Sequence, residues 1–234
     1  MSSHPEEHLA RKTLSVSGTH SLEKKLRLGV LISGSGSNLQ AIIDACEAGK
    51  LPGVEIALVI SNNANAHGIQ RALKHKLPVI YLPWRKFPAG EYVDEMTPNE
   101  GQIAGLLQFF RVDLIVLAGW MRILGAAFLD QFAHRVINIH PALLPRGGSG
   151  ETYTLSNGET IPVLRGINAV KMALDAGLKI TGSSVHYVTS EVDAGPVICQ
   201  QEIAIEPGDT EESLHERLKA VEHRLLIEAI RELS

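Results

Sequence analysis

Cysteine is scarce in this chain: Cys46 and Cys199 are the only two in 234 residues. One falls in a predicted helix and the other in a predicted strand, so they make neither a disulfide framework nor a zinc-ligand spacing. Free thiols fit a reducing, cytoplasmic setting. No apolar run approaches the roughly 20 residues that a bilayer-spanning helix needs, so no membrane partner is expected. Neither sign of charge dominates, with 22 basic and 26 acidic residues and a net charge of -4. That balance lacks the basic footprint of a nucleic-acid or anionic-membrane surface, and any anionic ligand has to be held locally. The ten histidines show no metal-ligand spacing, so no metal is expected. Residues 1–27 lack the apolar core of a secretory signal, and Glu6, Glu7 and Glu23 count against a transit peptide. A disordered cytoplasmic tail is expected there.

What the chain does contain is an alternation of short apolar runs with helical patterns. Residues 28–32 read as a buried parallel strand. They end in Ser33-Gly34-Ser35-Gly36-Ser37-Asn38, and a helical pattern follows through Leu39, Ile42, Ile43 and Cys46. Such a loop brings backbone N–H groups together at the positive end of a helix, which holds a phosphate. The residues alone equally allow a tight strand-to-helix turn that binds nothing. The loop is not a dinucleotide fingerprint, because Leu39 stands where the third glycine belongs, and no lysine follows to make a P-loop. Further strands are predicted at 54–61, 77–82, 113–117 and 135–139, with helices at 66–75, 99–110 and 126–132. This order implies an α/β fold, an open, mostly parallel, doubly wound twisted sheet flanked by helices.

Past Pro145 the pattern changes. Residues 146–150, glycine-rich, read as flexible. Segments 151–155 and 159–163 flank Ser156-Asn157-Gly158, a hairpin signal. A helix is predicted at 165–176, ended by Gly177. Strands at 181–188 and 196–205 with a short link imply antiparallel additions to the sheet. Asp209 or Thr210 caps a final helix that reaches Leu233. The expected organisation is one domain over 28–234, with halves 28–137 and 138–234 and a hairpin insertion within 147–163.

The chemistry concentrates at Asn138-Ile139-His140-Pro141. Alternation along a strand puts Asn138 and His140 on one face, and Pro141 ends the strand. An amide that donates to a developing oxyanion beside an imidazole that moves protons near neutral pH suits acyl-type transfer. A turn-capping Asn and a backbone-paired His would look the same in sequence. A carboxylate from Asp193, if close, would orient His140 and raise its pKa, favouring imidazolium at pH 7; an Asp-Ala-Gly turn needs no such role. Arg122 is either a carboxylate partner or a solvated charge.

With these residues laid out, the chain resembles the folate-dependent formyltransferases, and among them the phosphoribosylglycinamide formyltransferases. The segments that carry the resemblance run in order. They are Ile32-Ser33-Gly34-Ser35-Gly36-Ser37-Asn38-Leu39-Gln40, Leu117-Ala118-Gly119-Trp120-Met121-Arg122-Ile123-Leu124 and Asn138-Ile139-His140-Pro141. Later come Thr181-Gly182-Ser183-Ser184-Val185-His186-Tyr187-Val188, Asp193-Ala194-Gly195-Pro196-Val197-Ile198 and Glu222-His223. The resemblance implies transfer of formyl from 10-formyltetrahydrofolate, as cosubstrate, to the amine of 5'-phosphoribosylglycinamide in purine biosynthesis, by a monomer or homodimer. It implies a catalytic trio of Asn138, His140 and Asp193, with Asn138 and His140 stabilising the oxyanion and Asp193 tuning His140 and aiding proton transfer. Gly36, Ser37 and Asn38 would hold the ribosyl phosphate, and Lys219 and Glu222 the glycinamide end. Met121, Arg122, Ile123 and Leu124, together with Asn138, Thr189, Ser190, Glu191, Val192 and Asp193, would line the folate pocket. His186 reads as a structural strand histidine near the site.

The chain departs from that family pattern in several places. Ala142 replaces a common serine, Asn168 stands where many relatives have histidine, and residues 146–164 are longer than the expected loop. A folate-contacting arginine of some members has no clear counterpart near Gly90. Two relatives with the same core differ by added domains: methionyl-tRNA formyltransferase carries one at its C-terminus and formyltetrahydrofolate deformylase one at its N-terminus. Neither addition is expected here, and the Gly-Ser-Asn loop favours the ribotide substrate.

Overall fold

The computed structural model describes residues 25–88, 91 and 95–234. Seven strands form one sheet: β1 (Leu26–Ile32), β2 (Val54–Ser61), β3 (Val79–Tyr81), β4 (Leu114–Leu117), β5 (Val136–His140), β8 (Ile180–Tyr187) and β9 (Val197–Ala204). Their order across the sheet is β3-β2-β1-β4-β5-β8-β9. The first five pair in parallel, and β8 and β9 join antiparallel. A two-stranded hairpin, β6 (Thr152–Thr154) and β7 (Thr160–Pro162), stands apart, within the stretch the Ser-Asn-Gly turn pointed to. The helices are α1 (Ser37–Glu47), α2 (His67–Lys74), α3 (Pro98–Phe109), α4 (Ala126–Gln131), α5 (Ala169–Asp175) and α6 (Glu211–Glu232). Among the described residues no helix is long and apolar enough to cross a membrane.

Side-chain alternation along the strands separates two cores. Leu28, Val30 and Ile32 of β1 and Val116 of β4 pack with α1, Ala72 of α2 and the apolar stripe of α6. Leu31, Ile115 and Leu117 turn the other way, to Ile103 and Leu107 of α3 and Phe128 of α4. Connections after β1 and β2 therefore cover one face, and those after β3 and β4 the other. The reversal falls between β1 and β4, which are hydrogen-bonded neighbours. In β5, Ile137 and Ile139 join the α1–α6 core, so Asn138 and His140 stand on the opposite face. Thr97 caps α3 with a reciprocal Glu100 capping box, and Thr210 caps α6.

Three sequence expectations need correction. The tail expected over 1–27 ends too late, because Leu26 and Arg27 already belong to β1. Arg27 hid the strand by its charge, yet its guanidinium pairs with Glu55 and donates to the Phe110 carbonyl at 3.0 and 3.1 Å. Residues 1–24 and the Gly90 region lie outside the described residues. The helix expected from 165 begins only at Ala169. Gly166 has φ +83, a left-handed conformation that breaks a right-handed helix there, and its N–H donates to Asp193. The loop read as flexible at 146–150 is pinned instead, through Arg165 Nη2 donating to the carbonyls of Gly148 (3.2 Å) and Gly150 (2.8 Å).

Candidate active site

In an open α/β sheet, ligands collect beyond the strand ends where the winding reverses. A cavity of about 540 Å³ lies at that point, within the size range of small-molecule sites. Residues 33–38 reach it from β1, 117–124 from the end of β4, Asn138 and His140 from β5, and 188–193 from the loop after β8. Lys219 and Glu222 reach it from α6. Every residue assigned from the sequence to the catalytic trio, the phosphate loop, the glycinamide end or the folate pocket, Arg122 included, lines this one cavity. Gly166, Ile167 and His215 line it too and were missed. His215 lies one turn before Lys219, so helical spacing alone offered a signal for it. Gly166 carried none.

The glycine loop forms one end. Gly36 occupies the N-cap of α1 with φ +71, and among the described residues no side chain caps that helix. The first-turn N–H groups of Ser37, Asn38 and Leu39 therefore lack intrahelical acceptors, which suits an anion. Ser33 Oγ accepts from the Met121 N–H at 2.9 Å, and the Ser33 N–H donates to the Gly119 carbonyl at 3.1 Å. These bonds stitch the exits of β1 and β4 together. A Cβ on Gly36 would lie 2.5 Å from Gly68 Cα. Gly36→Ala should therefore displace the loop and weaken binding of a phosphate monoester by at least about 10-fold, since a φ above zero also disfavours alanine. Titration with ribose 5-phosphate measures this, and unchanged affinity would remove the loop from the anion site.

Beside that loop, Asn38 Nδ2 donates to Glu222 Oε2 at 3.2 Å. Glu222 is 6% exposed. Burial raises its carboxyl above the ordinary range, while Asn38, His215 and Lys219 act against the shift. Asn38 Oδ1 is buried without a partner among the described residues. Lys219 is paired with Glu216.

At the other end Asp193 sits among three side chains. Its Oδ2 lies 3.4 Å from His140 Nδ1 and accepts from the Gly166 N–H at 2.8 Å. Its Oδ1 lies 3.4 Å from His186 Nε2 and accepts from Asn138 Nδ2 at 3.4 Å. Antiparallel pairing sets Asn138 opposite His186, with Asn138 Nδ2 3.2 Å from His186 Nε2. His186 Nδ1–H donates to the Tyr187 carbonyl at 2.8 Å. His186, read from the sequence as a strand histidine near the site, thus stands on β8 as a close neighbour of the carboxylate.

The His140 Nε2–H donates to the Leu164 carbonyl at 2.7 Å. That leaves Nδ1 as the nitrogen facing Asp193. Burial lowers the His140 pKa below 6.5, and the Asp193 charge and the Leu164 carbonyl oppose it without overcoming it. Asp193 acts in the expected direction, but at 4% exposure the loss of hydration outweighs it, so the imidazolium expected at pH 7 gives way to a neutral ring. For Asp193, burial alone would raise the pKa. The hydrogen bond from His186, the charge of His140, the Gly166 N–H and the His186 charge reverse this and hold it at about 2. The resting pair is a carboxylate beside a neutral imidazole, a proton acceptor. Among the described residues no group of three or more His, Cys, Asp or Glu could hold a metal ion.

The cavity wall also carries exposed apolar side chains: Met121, Ile123, Ile167 and Val192. Large apolar groups left open around a pocket mark a surface built for an apolar ligand.

Residues 26–230 match the family described as Formyl transferase. Phosphoribosylglycinamide formyltransferase of Escherichia coli is 37% identical over 200 residues, covering 86% of this chain and 83% of that protein. The trifunctional purine biosynthetic protein adenosine-3 of Gallus gallus is 36% identical over 200 residues, where this chain spans only 18% of the relative's length. A solved phosphoribosylglycinamide formyltransferase from Coxiella burnetii superposes with a TM-score of 0.73 at 42% identity, covering 88% of this chain and 86% of that one.

Proposed function

This chain belongs to the formyl transferase family, and from that premise we propose that it transfers the formyl group of 10-formyltetrahydrofolate to the amine of 5'-phosphoribosylglycinamide. The observation that carries the reading is the convergence of Asn138, His140 and Asp193 at one end of a cavity whose other end is the Gly36-Ser37-Asn38 loop. A ribotide phosphate suits the free N–H groups of that loop. Its amine suits Glu222, a buried acceptor already oriented by Asn38. The folate, which supplies the activated formyl group, suits the apolar wall of Met121, Ile123, Ile167 and Val192. Purine biosynthesis is then the setting, and a cytoplasmic location fits the two free thiols.

The residues divide the work as follows. As the amine attacks the formyl carbon, negative charge grows on the formyl oxygen and a proton must leave the amine. Asn138 Nδ2 donates to that oxygen. His140 takes the proton at Nδ1, because Nε2 is already protonated against Leu164. Asp193 receives the new Nδ1–H, so the imidazolium forms next to a carboxylate held ionised. The positive charge thus arrives when the oxygen becomes negative. Collapse returns the proton to the departing folate nitrogen. No proton is gained or lost overall.

A single-turnover assay with the ribotide and 10-formyltetrahydrofolate, run beside water as the acceptor, tests the assignment. Formylated ribotide is the expected product. Formate release independent of the ribotide would overturn it in favour of hydrolysis. Glu222→Gln should raise KM for the ribotide by about 10-fold with a smaller change in kcat, since a charged hydrogen-bond partner contributes roughly 1.5–3 kcal/mol. An unaltered KM would remove Glu222 from the amine site.

A further inference from the structure

The stretch around the hairpin holds the reacting groups without being one of them. Three consecutive residues do this through different atoms. The Leu164 carbonyl accepts from His140 Nε2 at 2.7 Å. Arg165 Nε donates to the Asp193 carbonyl at 3.3 Å. The Gly166 N–H donates to Asp193 Oδ2 at 2.8 Å. Arg165 reaches further, its Nη2 donating to the carbonyls of Gly148 and Gly150 and its Nη1 lying 3.9 Å from Glu151 Oε1.

Asp193 has φ +50, a left-handed conformation that side chains disfavour. Asp tolerates that region better than most residues, and contacts from outside the turn fix it further. Gly148, itself at φ +86, lies so close beneath the turn that a Cβ would overlap the Ala194 carbonyl oxygen. The glycine loop is therefore moulded to the Asp193 turn, and Arg165 joins loop and turn by their carbonyls. The far end of the hairpin is anchored independently. Glu202 of β9 accepts from the Ser156 N–H (2.8 Å), Ser156 Oγ (2.7 Å) and Tyr153 Oη (3.3 Å). The insertion is thus fixed at tip and base, and its base is the support of a reacting carboxylate.

We propose that Arg165 is a positioning residue: by tying the Gly148 and Gly150 carbonyls to the Asp193 carbonyl, it sets the turn that presents the Asp193 carboxylate to His140 and His186. A planar guanidinium with five donors satisfies three carbonyls at once. A lysine ammonium at the same place has a single nitrogen and no fork. The kinetic consequence rests on the formyl-transfer reading above, while the structural consequence does not.

The test uses the full chain with Arg165→Lys and Arg165→Ala. Both variants should lose kcat on the order of 100-fold, the size of effect that a misplacement near 1 Å produces. KM for the ribotide, bound at the far end of the cavity, should stay as it is. Guanidinium ion should restore part of kcat to Arg165→Ala but none to Arg165→Lys, whose ammonium fills the space. Ring nitrogen resonances of His140 and His186 should move in Arg165→Ala and return with guanidinium. Should the unmodified chain move no formyl group, the functional reading falls while those resonances still decide the role of Arg165. Unchanged kcat, unmoved resonances, or a variant that is unfolded at assay temperature would each overturn the inference, the last by making Arg165 a general prop of the fold.

Discussion

His140→Ala should lower kcat by about 10³-fold, within the range ascribed to a positioned general acid–base. That corresponds to about 4 kcal/mol of barrier. The imidazole faces the Asp193 carboxylate through Nδ1, and it is the acceptor of the amine proton in the proposed sequence. Affinity for a phosphate monoester should be preserved, because the Gly36-Ser37-Asn38 loop belongs to a different strand end. Turnover by the variant at the normal rate would remove His140 from the chemistry. Its depressed pKa also sets a pH dependence. His140 has to be neutral to accept a proton, so the acid limb of kcat/KM is expected below pH 6.5. An acid limb above that value would contradict the assigned protonation state.

The second large effect is expected at Asp193→Asn. Losing the carboxylate removes the acceptor for the new Nδ1–H of His140, and kcat should fall about 100-fold with little change in ribotide affinity. It also removes the charge that raises the His140 pKa, so the acid limb should move to lower pH. Stability should respond as well. The folded-state pKa of Asp193 is about 2 against an ordinary 3.8. A depressed carboxyl value adds stability above pH 3.8 and loses it as the pH falls towards 2. The difference amounts to about 2 kcal/mol for a group this buried. The variant should therefore be less stable at neutral pH and show a flatter decline between pH 4 and 2. His140 acts in a separate window, since its depressed value withdraws stability as the pH falls through 6.5. Denaturant melts across both windows would separate them, and identical acid limbs in the two proteins would deny Asp193 its charged partners.

Much of this was open to reading from residue order. The apolar runs of β2 and β4, and the punctuation at Gly34, Gly36 and Pro141, placed strands, helices and the glycine loop within a few residues. The Ser156-Asn157-Gly158 turn announced its hairpin. Such features are local, and their periods appear wherever the residues stand. Errors fell where distant groups intervened. Arg27 is in a strand because Glu55 and Phe110 receive its guanidinium. Residues 165–168 stay out of α5 because Gly166 is left-handed, φ +83, where its N–H meets Asp193, 27 positions away. Residues 146–150 are held because Arg165 collects their carbonyls.

The sequence by itself determined the order of elements, the two-sided burial of the sheet and the side-by-side placement of Asn138 and His140, since all three follow from a repeat of two or of three to four residues. Only the tertiary structure decided that Asp193 meets His140 and His186, that one imidazole nitrogen is spent on Leu164, and that burial leaves His140 neutral. Those outcomes depend on which remote atoms displace water, and a one-dimensional pattern holds no record of that.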